Sequence, residues 1–166
     1  MAVCTKPLWH EKAPEQTPRT GEKKGSKRHL LVDERGVPLS IVVTGANRHD
    51  VSQLEAVLAG RIVAPIMENE EEHLCADAGY TGDEPKEKMI AAGYRPHVRP
   101  RGEEKAEKVK TPGFKARRWV VEACHSWFNR FRKLSIRYEK LDTTHIALHH
   151  LAAAIIALRK VGIIYG

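Results

Sequence analysis

Arg117-Arg118-Trp119-Val120-Val121-Glu122-Ala123-Cys124-His125-Ser126-Trp127-Phe128-Asn129-Arg130-Phe131-Arg132-Lys133-Leu134 is the stretch that decides the fold. Turned at about 100° per residue, it gathers Val120, Ala123, Cys124, Trp127, Phe128, Phe131 and Leu134 on one arc. The spacing therefore predicts an amphipathic helix with an aromatic-rich buried stripe. The opposite arc collects Arg118, Glu122, His125, Asn129, Arg132 and Lys133. A solvated helix face usually mixes acids and bases at i,i+4 spacing. Here one carboxylate stands among cations and neutral polar groups, an arrangement suited to a place where anions and a metal ion meet. A plain amphipathic helix whose Glu122 pairs with Arg118 accounts for the same pattern.

Upstream of that helix, His73-Leu74-Cys75-Ala76-Asp77-Ala78-Gly79-Tyr80 reads as a buried strand that ends at Asp77. Catalytic side chains of α/β folds commonly stand at the carboxyl ends of strands, and the glycine that follows lets the backbone turn. An Asp that only caps the next turn gives the same local pattern. Asp77 and Glu122 are the two acids singled out.

Farther back, His29–Asp33 and Val37–Thr44 read as an antiparallel hairpin around the tight turn Glu34-Arg35-Gly36. Asp33 is a turn former there, and Asp50 is placed to cap a helix over 51–58. Gly82-Asp83-Glu84-Pro85 starts a helix that runs through Lys86 to Ala92, with Pro85 in its first turn and Gly93 as its stop. Tyr94 to Arg101 reads as a basic edge strand, because its prolines suit an edge. Glu103 to Gly113 is a charged loop. The last helix runs from the Asp142-Thr143-Thr144 cap to about Val161, with Ile146, Leu148, Leu151, Ile155 and Leu158 as its core face. His145 and His149 stand at a metal-compatible i,i+4 spacing, but no third ligand accompanies them in sequence.

Residues 1–26 differ from the rest. Pro7, Pro14 and Pro18 alternate with Lys, Glu, Thr and Gly, and apolar residues are few. The composition predicts a disordered or extended basic arm over 1–26 ahead of a folded domain over 27–162. The order is thus β-β-α-β-α-β-α-α, an α/β pattern with an initial hairpin.

Composition narrows the partners. Twenty-eight Lys and Arg against 21 acids leave a net charge of +7, which favours polyanions, nucleic acid above all. No apolar run is long enough to span a membrane; the longest, Ile146 to Leu158, is interrupted by His149 and His150. No leader segment is read at the N-terminus. Cys4, Cys75 and Cys124 are too scattered for a disulfide framework, so a reducing, cytoplasmic setting is expected. A Gly-rich phosphate loop is missing, and a nucleotide cofactor gets no support.

Four stretches, in order, resemble the catalytic domain of DDE-type transposases of bacterial insertion sequences. They are Gly25–Asp33, Val43–Asp50, Ala76–Tyr80, and Arg118–Glu122 continued through Arg130–Leu134 to Arg137-Tyr138-Glu139. The resemblance covers roughly residues 21–161. It implies a ribonuclease-H-like mixed sheet flanked by helices, with Asp77 and Glu122 as the second and third acids of a metal-binding triad. It also implies a two-ion Mg²⁺ site, DNA ends and target DNA as partners, and is compatible with a homodimer. Arg118 matches the family's Arg as a DNA contact, with Arg130 and Lys133 following on the same stretch, and Asn129 stands where the family has a basic residue. Lys27 and Arg28 belong to a basic cluster at the end of the arm that suits phosphate contact. The family's first Asp has no counterpart before Asp33. The chain is therefore expected to lack the first strand of the sheet, as the C-terminal part of a truncated transposase. Three functions follow: DNA cleavage and strand transfer, a catalytically inactive DNA-binding remnant, or an RNA-processing nuclease of the same fold.

Overall fold

Ser26-Lys27-Arg28-His29-Leu30-Leu31-Val32 forms a strand whose residues are buried on both faces, which requires cover from two sides. The structure, a computed structural model, describes residues 2–7, 25–63, 72–98 and 119–161, with the backbone alone for 2–7 and 161. Its strands are β1 (Ala2–Pro7), β2 (Ser26–Val32), β3 (Pro38–Gly45), β4 (Glu72–Ala76) and β5 (Tyr94–Val98). The helices are α1 (Leu54–Ala59), α2 (Asp83–Ala91), α3 (Trp119–Asn129), the single turn α4 (Arg132–Ser135) and α5 (Asp142–Val161). Short 3₁₀ turns at Val51–Gln53 and Ala78–Tyr80 precede α1 and α2.

The strands form one mixed sheet in the order β3-β2-β1-β4-β5. β2 pairs antiparallel with both β1 and β3, while β4 runs parallel to β1 and to β5. Alternation along β2 divides the interior in two. Leu30 and Val32 meet Val120, Val121, Cys124 and Phe128 of α3, with Leu134, Ala152 and Ile156 behind them. Leu31 points the other way, into a core built with Leu54, Val57 and Leu58 of α1, Met89 of α2, and Leu74, Ala76 and Tyr94 of the sheet. The sheet is thus covered by α1 and α2 on one face and by α3 and α5 on the other.

The central strand corrects the expected arm. Ala2–Pro7 is neither missing nor peripheral; it lies between β2 and β4, with Val3 registered against both Leu31 and Ala76. A strand in that position is held by two ladders, so its neighbours rather than its own composition stabilise it. The rest of the arm, the 103–113 segment, Trp9, Arg117 and Arg118 lie outside the described residues.

Four smaller expectations change. The helix over 117–134 is interrupted: α3 stops at Asn129, Phe131 is extended at φ −81°, ψ 103°, and Leu134 reaches the core from α4. His125 is buried rather than on the polar arc. Asp50 makes no capping hydrogen bond and instead pairs with Lys27 across 3.1 Å, tying β2 to the turn before α1. The buried face of α5 is His145, His149, Ala152 and Ile156, while Leu151 and Leu158 are exposed. Tracking the largest apolar residues placed that face wrongly because two histidines belong to it. The hairpin, α2 with its Gly93 stop, and β5 at the sheet edge match the expectation.

Those histidines sit in a polar cluster beneath α5. His149 donates its Nδ1–H to the His145 carbonyl at 2.9 Å, because a carbonyl can only accept; the neutral ring then carries its lone pair on Nε2. The two imidazoles meet edge-on with centroids 4.5 Å apart, and His149 also stacks on Phe128. Burial pushes His149 down to about 4, helped by the positive field of Arg28, and burial lowers His145 in the same direction.

Two outcomes follow from this packing. Gly36 and Gly93 both have φ +84°, but a Cβ on Gly36 would lie 3.0 Å from the Trp127 ring, whereas one on Gly93 meets nothing within 4 Å among the described residues. Gly93→Ala should cost about 1 kcal/mol through backbone strain alone, and Gly36→Ala about 2–3 kcal/mol, by chemical denaturation. The second outcome concerns pH. A histidine whose folded pKa is depressed stabilises fully above its unfolded value and loses that contribution as pH falls toward the folded one. Between pH 6.5 and 4.5 the unfolding free energy should therefore drop by roughly 2–3 kcal/mol. His149→Leu should flatten most of that slope, as measured by urea titrations across the range.

Candidate functional site at the end of the fourth strand

Asp77 follows β4 directly. Its backbone is extended at φ −70°, ψ 161°, so the alternation of β4 continues through it. Leu74 and Ala76 enter the core under α1 and α2, whereas Cys75 packs against the α3 core. Asp77 therefore takes a position on the α3 side of the sheet. Its Oδ1 accepts the Ala78 backbone N–H at 2.7 Å, which caps the 3₁₀ turn and fixes the carboxylate at the strand end. Capping and chemistry are compatible, since a carboxylate has further lone pairs to offer.

Glu122 lies on the exposed side of α3, one turn from the start of that helix. The residues around it, Val120, Val121, Cys124 and Phe128, are buried and lock the helix over β2. Both acids thus stand on the same side of the sheet, one at a strand end and one on a helix anchored by its apolar stripe. The parallel register of Val3 with Ala76, carried one residue further, sets the backbone of Cys4 beside that of Asp77. β1 carries no acid, and among the described residues no group of three or more His, Cys, Asp or Glu is arranged to hold a metal ion.

The basic residues separate into buried and exposed sets. Arg28 is 1% exposed, with its guanidinium 4.4 Å above the Phe128 ring. Desolvation lowers its pKa to about 10, and among the described residues its Nε and Nη2 find no hydrogen-bond partner. The same burial pushes the neighbouring Cys124 thiol up to about 12. Arg28 is therefore a core residue, not the DNA contact expected from the sequence; its aliphatic stem and planar head fill the space between β2 and α3. Lys27 is half-buried and committed to Asp50 and to the Arg48 carbonyl, each at 3.1 Å. Arg130 and Lys133 are exposed just beyond α3 and in α4, as a phosphate contact requires.

On the far side of the sheet, Arg61 binds the Glu72 carboxylate through both guanidinium branches and the Tyr94 hydroxyl at 2.9 Å. That bracket holds the segment after α1 against β4 and β5. His73 and His97 stack at 4.9 Å across the same strand pair, with Nδ1 and Nε2 2.6 Å apart. No helix among the described residues is long and apolar enough to cross a membrane.

Comparison with known proteins identifies the family. The family model for the transposase DDE domain matches residues 2–157, which include β1. A putative transposase for insertion sequence element IS402 from Burkholderia cepacia is 30% identical over 154 residues, covering 89% of this chain and 70% of that protein. A putative transposase for insertion sequence element IS6501 from Brucella ovis is 28% identical over 136 residues, covering 81% of this chain and 98% of that protein. No solved structure matches. A family match running nearly the whole length, together with the two insertion-sequence relatives, places this chain in the DDE-domain transposases of bacterial insertion sequences.

Proposed function

We propose that this chain carries out metal-dependent phosphoryl transfer on DNA, cleaving at insertion-sequence ends and joining them to target DNA, through Asp77 and Glu122. The observation that carries the reading is the placement of both acids on the α3 side of one sheet, each on a rigid element. The three antiparallel strands β3-β2-β1, followed by β4 and β5 parallel to β1 and covered by helices on both faces, support a ribonuclease-H-like architecture.

The donor set suits a hard divalent cation in kind, since both residues offer carboxylate oxygens. Bound there, Mg²⁺ would stabilise the attacking and leaving oxygens of an in-line displacement at phosphorus. The chain's own contribution is positional. The Ala78 N–H holds Asp77 at the strand end, and the Phe128 and Val121 packing holds Glu122 over the sheet. Arg130 and Lys133 contribute charge that draws the DNA backbone to that side. Two carboxylates alone bind and position such ions less firmly than three.

A second reading is favoured by one observation: β1 occupies the strand beside Asp77 without supplying an acid. In that case the chain holds DNA through its basic surface and does no chemistry. Mg²⁺-dependent nicking of supercoiled DNA separates the two readings. Activity that Asp77→Asn and Glu122→Gln each abolish, with salt-sensitive DNA binding retained, supports phosphoryl transfer. Binding without nicking leaves the second reading. Cys4→Asp, which adds a third carboxylate at the register position beside Asp77, should then raise Mg²⁺-dependent nicking above the parent chain; an unchanged rate would mean that this position is not the one missing.

A further inference from the structure

Between α4 and α5 the chain runs Ile136-Arg137-Tyr138-Glu139-Lys140-Leu141, and three large apolar residues within these six are exposed: Ile136 at 55%, Tyr138 at 72% and Leu141 at 67%. Exposed apolar groups packed so closely in a short connection mark an interaction surface.

The segment is held in place rather than loosely draped. Leu134 anchors one end in the α3 core. Arg137 donates its Nε–H to the Glu139 carbonyl at 3.0 Å and bonds the Asp142 carboxylate through Nη2. Glu139 turns inward, its side chain 13% exposed and its Oε2 3.9 Å from His145 Nδ1. With the residues on both sides of it tied down, Tyr138 is left standing outward from a braced turn.

Charge chooses the partner. Residues 130–142 contain five cations, Arg130, Arg132, Lys133, Arg137 and Lys140, against two acids, Glu139 and Asp142. Glu139 faces inward and Asp142 is taken by Arg137, so the outward charge is that of Arg130, Arg132, Lys133 and Lys140. An exposed phenol with exposed cations close to it in sequence matches the two halves of a nucleotide, a flat base to stack and a phosphate to neutralise. A double helix hides its base faces; an unpaired end offers them.

We propose that residues 136–141 form a stacking platform for unpaired bases of DNA, with Tyr138 under the base and Arg132, Lys133 and Lys140 on the flanking phosphates. The inference rests on the DNA reading given above and adds to it the form of DNA taken at that site. From Glu122 to the end of α3 is seven residues, or about 10 Å along the helix axis. The platform follows α3 and α4 in the chain, on the stretch that begins at the helix bearing Glu122.

Fluorescence anisotropy with the full chain tests it, using a labelled blunt duplex and the same duplex with a short single-stranded tail. The parent chain should bind the tailed DNA more tightly. Tyr138→Ala should weaken tailed binding about tenfold while leaving blunt binding unchanged, and Tyr138→Phe should keep the preference. Tyr138 is on the surface, so circular dichroism of the variants should match the parent. Equal binding of both DNAs by Tyr138→Ala and the parent would overturn the platform, as would an equal loss on both. Self-association of the parent that disappears in Tyr138→Ala, with DNA binding intact, would assign the patch to a second copy and overturn it as well. A parent chain that binds neither DNA would instead sink the DNA reading itself.

Discussion

The structure depends on one strand being paired on both sides. β1 joins the antiparallel hairpin β2-β3 to the parallel pair β4-β5 through two separate ladders. Without it, β2 and β4 would each present a row of unpaired backbone groups under helices that exclude water, a costly arrangement. With it, the sheet is continuous and the end of β4 has a fixed position relative to β2. Because α3 packs on β2 through Leu30, Val32, Val121 and Phe128, that continuity also fixes Glu122 relative to Asp77.

The elements stabilised by their own sequence pattern were legible from it. The hairpin showed in its apolar runs and turn, α2 in Pro85 and Gly93, the strand end at Asp77 in the apolar run that stops there. α3 showed in its aromatic stripe. What escaped was held by distant partners. Ala2–Pro7 has only a short apolar stretch followed by a proline-rich polar segment, and composition taken over 26 residues obscured it. Its ladders come from residues far along the chain, and no local signal announces them. Arg28 reads as surface because it is charged, yet a long stem and a flat head let it fill a gap against Phe128. The i,i+4 pair His145 and His149 was visible as spacing; its burial under α5 was not, because two polar residues displaced the expected core face.

The candidate site repeats that division. The positions of its two proposed acids were legible, a strand end for Asp77 and the polar side of an amphipathic helix for Glu122. The basic surface was legible in amount but not in distribution. Lys27 and Arg28 are consumed by Asp50 and by the core, while the exposed cations cluster after α3, around a braced turn that carries Tyr138. Charge counting ranks these alike; only packing tells which of them face solvent. DNA reaching Glu122 would therefore meet the cations of the α3–α5 side, not those of β2.

The central claim is that Asp77 and Glu122 act together on one divalent cation. Direct titration of the full chain with Mn²⁺, followed by electron paramagnetic resonance, reads that without any DNA. The expected result is loss of free-ion signal on binding, with Asp77→Ala and Glu122→Ala each weakening binding strongly and the double variant weakening it no further than the weaker single. Mn²⁺ binding that survives both substitutions, or losses that simply add, would mean that the two carboxylates do not share an ion.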